Sequence, residues 1–151
     1  MTIASTGTAL SSHDGHAGSS WAAGQLSGRQ TAIVIGWGVL LWLLVALLIR
    51  AAPGQLFDRG LWTVALFATA WPNAWVTVWL TRRIARLSLD QLVPGCALAC
   101  AAAMLCDGVA LTWTSLYGPG ARDLVAVGAT LLWGVAAIIV TAFAAAQRGR
   151  G

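Results

Sequence analysis

The chain contains no lysine and no glutamate. Its charge comes from nine arginines and five aspartates in 151 residues, so charged residues make up only 9%. A soluble domain carries about 25%, and so few charges cannot cover the surface of one this size. The two histidines, His13 and His16, lie near the start and none lies in an apolar segment. A histidine-ligated haem is thereby excluded, and with Asp14 the pair falls short of the four ligands of a structural zinc site. Cys96, Cys100 and Cys106 are odd in number and close together, which excludes the disulfide framework of a secreted domain. Cys96 and Cys100 also lack the Cys-x-x-Cys spacing of thiol redox sites. No glycine-rich nucleotide loop and no hydrolase triad signature is found. Neither a catalytic centre, a cofactor site nor a metal site is expected.

What is present is apolar. Hydrophobic residues make up 58% of the chain and the mean hydropathy is +0.76. That is too apolar for a disordered chain, and an integral membrane protein remains. The net charge of +4 and pI near 9.8 would raise nucleic acid as a partner of a soluble protein. Here the arginines stand at the ends of apolar segments without interleaved aromatics, so the expected partner is the lipid bilayer and not nucleic acid.

Residues 1–30 are rich in Ser, Gly, Thr and Ala without periodicity, which predicts a disordered tail. The start has no basic residue, so no signal peptide is read there. Apolar runs follow, and they predict an all-α, four-transmembrane-helix bundle over 31–146, with spans of about 32–50, 61–80, 92–116 and 124–146. Each is near the roughly 20 residues a bilayer requires. Pro53-Gly54 and Tyr117-Gly118-Pro119-Gly120 mark turns, and residues 147–151 form a short tail. Short loops make sequence neighbours antiparallel.

Arginine placement predicts the orientation. Arg29, Arg82, Arg83, Arg86, Arg148 and Arg150 fall on one side, and Arg50, Arg59 and Arg122 on the other. The positive-inside bias puts both termini and the middle loop in the cytoplasm.

Asp107 is the one acidic residue inside an apolar span. A carboxylate at bilayer depth costs a few kcal/mol, so such residues face the bundle interior and mark an ion path, a ligand contact or a structural partner. Helical spacing places Cys96, Cys100, Ala103, Asp107, Leu111 and Thr114 on one inward stripe. In the second helix, Thr69, Asn73 and Thr77 form a polar stripe read as facing inward. Trp71, Trp75 and Trp79 form an opposite stripe, turned to lipid, a second copy or another membrane protein. Small residues predict packing faces at Ala32, Gly36 and Val39 of the first helix, and at Thr130, Gly134, Ala137 and Thr141 of the fourth. Depth counting at 1.5 Å per residue makes Thr69 or a fourth-helix hydroxyl, Thr130, the neighbour of Asp107. It leaves Asn73 to be reached through water. Arg50 is the candidate counter-ion, its side chain leaning back into the membrane. Pro72 frees a carbonyl near Ala68. Trp37, Trp42, Trp71, Trp75 and Trp133 are read as bulk filler, and Trp62, Trp79 and Trp113 as interfacial.

The segments GWGVLLWLLVALLIRAAPGQLF, AMLCDGVALTWTSLYG and ATLLWGVAAIIVTAF resemble stretches of a small family of bacterial four-span membrane proteins of unknown function. The resemblance covers Gly36 to Phe143. It rests on Arg50 with Gln55, on Met104-Leu105-x-Asp107 and on Leu132-Trp133-Gly134. The chain has Ala102-Ala103 where the family has Pro-Gly. The resemblance implies a four-span inner-membrane protein and implies no activity. Two functions follow from the residues. One is a small non-enzymatic membrane protein that packs with itself or a partner through the Trp71/Trp75/Trp79 face. The other is a small proton-coupled transporter that uses Asp107.

Overall fold

An uncapped helix start leaves backbone donors without partners, and this chain supplies them at its first helix from Ser27 and Gln30. Ser27 N–H donates to Gln30 Oε1 (3.0 Å) and Gln30 N–H to Ser27 Oγ (3.2 Å), a capping box. The computed structural model describes residues 24–51, 60–114, 116 and 121–149. Among them are four helices and no strand: α1 (Gly28–Ala51), α2 (Leu61–Ala85), α3 (Leu89–Trp113) and α4 (Ala121–Arg148). The capping box starts α1 at Gly28, inside the segment expected to be a disordered tail. Residues 1–23 of that tail, the Pro53-Gly54 break, the Tyr117–Gly120 turn and Trp62's side chain lie outside the described residues.

The other helix ends also run past their apolar cores. Gln91 starts α3 early by accepting the Ser88 N–H (3.2 Å). At the end of α2, Arg86 takes a left-handed conformation (φ 50°), and Leu87 N–H bonds back to the Arg82 carbonyl (3.0 Å), a helix stop that glycine usually provides. Gln30 Nε2 donates to Gln91 Oε1 (3.2 Å) and to the Arg86 carbonyl (3.4 Å), and Gln91 Nε2 to the Gln25 carbonyl (2.8 Å). These amides tie the starts of α1 and α3 to the end of α2 and define the glutamine end of the bundle.

Packing departs from the order of the chain. The most extensive contacts are α1 with α3, α2 with α4, and α3 with α4, whereas α1–α2 and α2–α3 meet less. Gln30 faces Gln91 and Trp42 faces Asp107, so α1 and α3 run parallel. Close approach of their backbones explains the pairing. A Cβ on Gly38 would meet the Ala99 carbonyl oxygen and come within 2.9 Å of its Cα. The buried face of α1 is accordingly Val34, Gly38 and Ala46. Ala32, Gly36 and Val39, the face expected from small-residue spacing, are exposed.

The core has two parts. At the glutamine end, Val34, Val78, Ala85, Leu87, Leu92, Cys96, Ala99 and Ala142 bring all four helices together. At the far end, Ala46, Ala110 and Val127, with Trp42, Ile49, Leu111 and Leu131 around them, join α1, α3 and α4. There α2 rests on α4 by aromatic contacts: Trp133 lies 5.5 Å from Phe67 and edge-on to Trp71 at 6.3 Å. Trp133 Nε1 also donates to the Phe67 carbonyl (3.1 Å). That carbonyl is next to Ala68, whose helical partner Pro72 cannot provide. Trp133 is therefore a polar cross-link and more than filler.

Three helices, α1, α3 and the Leu124–Arg148 part of α4, are long and apolar enough to cross a membrane. Their outer faces leave Leu44 (54%), Leu48 (69%), Leu105 (75%), Leu132 (60%) and Phe143 (55%) exposed. Soluble monomers rarely expose apolar surface so continuously, and these helices mark a membrane protein. α2 is as long as α3 but carries Thr, Pro and Asn between its tryptophans, which lowers its apolarity below that of the other three.

Candidate functional site

Asp107 sits on the buried face of α3, with Cys96 and Cys100 on the same stripe (9%, 1% and 6% exposed). Ala103 and Leu111 of that stripe are half-buried, while Thr114 closes the helix as its exposed C-cap. The carboxylate meets α1. Trp42 Nε1 donates to Asp107 Oδ1 at 2.8 Å, a distance within the ordinary range of an N–H···O bond.

Two clefts flank this bond. One, of about 530 Å³, runs along α1 and α3 and is lined by Trp42, Arg50, Cys106, Val109 and Thr114. The other, of about 220 Å³, lies between α3 and α4 and is lined by Asp107, Gly108, Leu111, Gly128, Leu131 and Val135. A Cβ at Gly108 or Gly128 would meet nothing within 4 Å, so the two glycines widen the second cleft. The rest of its lining is apolar.

The other residues singled out from the sequence lie elsewhere. Thr69 is exposed and its hydroxyl donates to the Leu66 carbonyl of its own helix (2.9 Å). Thr130 likewise donates to the Ala126 carbonyl (2.9 Å). Neither is the donor to Asp107; Trp42 takes that place. Asn73 is exposed too, and of the expected inward stripe only Thr77 is buried. The buried face of α2 is instead Ala74, Thr77, Val78, Thr81 and Ala85, where Trp37 Nε1 donates to Thr81 Oγ1 (3.1 Å) and Thr81 to the Thr77 carbonyl (2.8 Å). Arg50 is exposed and lines the cleft that Trp42 lines. Among the described residues no ion pair joins it to Asp107.

A hydroxyl bonded to its own helix needs no partner across the bundle. Thr69→Val and Asn73→Ala are therefore each expected to change stability by less than about 0.5 kcal/mol, as other exposed substitutions do. Reversible unfolding in mixed micelles checks this.

Trp42 carries a signal that can be read only once the pairing of α1 with α3 is known. An indole N–H in an apolar environment requires an acceptor, and lipid offers none. Counted from the bonded Gln30–Gln91 pair, Trp42 stands about 18 Å and Asp107 about 24 Å along their helices. With α1 and α3 parallel, donor and acceptor fall at neighbouring depths.

The Trp71, Trp75 and Trp79 stripe is 42%, 47% and 55% exposed. Each ring nonetheless has a neighbour within the chain: Trp133 for Trp71, the Arg148 guanidinium 5.8 Å from the centre of Trp75, and that of Arg83 5.5 Å from Trp79. Among the described residues no group of three or more His, Cys, Asp or Glu is placed to hold a metal ion. No protein-family model, curated protein or solved structure matches the chain.

Proposed function

We propose that the chain is a small, non-enzymatic four-span protein of a bacterial inner membrane, with both termini in the cytoplasm. Its work is done by packing with itself or with another membrane protein. The observation that carries this reading is the Trp42–Asp107 bond at 2.8 Å. It gives the intramembrane carboxylate a structural task, the joining of α1 to α3, the two helices in most extensive contact. The arginine distribution supports the orientation: Arg29, Arg82, Arg83, Arg86 and Arg148 all stand at the glutamine end, and cytoplasmic ends are the arginine-rich ones. The four apolar runs of the sequence support the span count. The half-exposed Trp71/Trp75/Trp79 face is the contact surface in this reading.

One observation favours a second reading, a proton-coupled transporter: the cleft between α3 and α4 reaches Asp107. A single comparison separates the two. Wild type and Asp107→Asn are placed in inverted vesicles and proton and solute flux is followed. The packing reading predicts that both match empty vesicles; flux that Asp107→Asn abolishes overturns it and establishes the transporter. A reporter fused after Arg150 that is active only outside the cytoplasm should stay silent.

A further inference from the structure

Among the described residues, the glutamine end of the bundle carries more arginines than carboxylates. Arg29, Arg82, Arg83, Arg86 and Arg148 gather there, and Asp90, in the first turn of α3, is the one carboxylate at that end among the described residues. Two of these arginines are held in a particular way. Arg83, on α2, lies over the Trp79 ring at 5.5 Å, and Arg148, from the last turn of α4, lies over the Trp75 ring at 5.8 Å. Both arginines are exposed, and neither has a carboxylate partner among the described residues. Trp75 and Trp79 are one turn apart on α2, about 6 Å along its axis. Two guanidiniums, one from α2 and one from α4, thus lie against successive rings of one aromatic stripe.

A ring beneath a guanidinium holds the plane of the group and leaves its N–H edge free. That edge presents donors in a rigid fork that matches the oxygens of a phosphate. Toward the middle of the bundle, the same face continues as Trp75, Trp71 and Trp133, which are half-exposed and apolar. A cationic pair at the end of an aromatic stripe on a membrane helix has the layout of an anionic lipid: phosphate at the surface, hydrocarbon beneath.

We propose that the α2–α4 face formed by Trp75, Trp79, Arg83 and Arg148 is a docking site for an anionic phospholipid, its phosphate held by the two guanidiniums and its acyl chain lying along the tryptophans. The proposal rests on the membrane reading above and gives the lower part of the tryptophan face a lipid in place of a protein partner. Charge complementarity selects the occupant: a second copy would bring the same arginines against themselves.

The test uses the full chain reconstituted in vesicles of equal parts phosphatidylglycerol and phosphatidylcholine, then extracted gently and weighed by native mass spectrometry. Retention of phosphatidylglycerol over phosphatidylcholine is expected. Arg83→Gln and Arg148→Gln should each weaken it about tenfold and the double variant about a hundredfold, as the loss of a hydrogen bond to a charged group does. Arg29→Gln removes the same charge at the same end from α1 and should change retention by less than about twofold. Equal retention of the two lipids overturns the proposal, as does an Arg29→Gln effect as large as that of Arg83→Gln, which would mean diffuse attraction. Displacement of the lipid by inorganic phosphate, or a lipid-free dimer, also overturns it. A chain that never enters the vesicles overturns the membrane reading itself, a result distinct from insertion without lipid retention.

Discussion

Gly38→Ala is expected to lower the stability of the folded chain by about 2–3 kcal/mol, the upper range for overfilling a packed interface. The added Cβ would meet the Ala99 carbonyl oxygen and lie 2.9 Å from the Ala99 Cα. Both are backbone atoms and cannot rotate away, so α1 would have to move off α3. The loss comes in spite of the gain of about 1 kcal/mol that alanine brings to a helix interior over glycine. Gly36, two residues earlier, has nothing within 4 Å of the same added atom. Gly36→Ala should therefore be neutral or slightly stabilising. The two glycines share one helix and one chemistry, so opposite signs in an unfolding titration in mixed micelles isolate the close approach from helix propensity. Similar effects at both would mean that α1 and α3 do not meet at Ala99.

Trp42→Phe is expected to cost about 2 kcal/mol. It removes the indole donor that stands 2.8 Å from Asp107 Oδ1, and loss of one partner of a buried polar group costs about 1–3 kcal/mol. It also thins the far-end core, where Trp42 packs around Ala46, Ala110 and Val127. Asp107→Asn should cost much less, because an amide oxygen accepts the same indole proton. Asp107→Leu should cost about as much as Trp42→Phe, since it leaves the indole N–H without this acceptor. The order Asn, then Phe and Leu, is specific to a hydrogen bond donated by Trp42. A residue needed only for its charge would place Asn with Leu.

The helices themselves were legible because long apolar runs separated by glycine and proline leave a chain little choice in a bilayer. Their pairing was not. A membrane helix is apolar on all sides, so its sequence carries no strong stripe to choose a face. In α1 the spacing Ala32, Gly36, Val39 and the spacing Val34, Gly38, Ala46 read equally well, and only the Ala99 backbone decides between them. Thr69 misled for a related reason. A hydroxyl that donates to the carbonyl of its own helix, as here to Leu66, can face outward without loss. Asp107 was legible as the misplaced carboxylate, and the stripe that buries it with Cys96 and Cys100 followed from spacing. Its partner was hidden because tryptophan counts as an apolar residue in any hydropathy sum, and only the parallel run of α1 and α3 brings the indole nitrogen to the carboxylate. Helix ends were missed where a side chain extends the helix beyond its apolar run, as Gln30 does for α1 and Gln91 for α3.

The most direct test of a bundle pinned by this bond is a double-mutant cycle. The free energies of unfolding of wild type, Trp42→Phe, Asp107→Leu and the double variant are measured in one micelle composition. Hydrogen bonds between membrane helices couple by about 0.6 kcal/mol on average and up to about 1.7, and a bond to a buried carboxylate belongs at the upper end. A coupling of about 1–1.5 kcal/mol is expected, with the double variant more stable than the sum of the two losses allows. Losses that simply add would show that Trp42 and Asp107 act independently, and would contradict a bundle pinned by this bond.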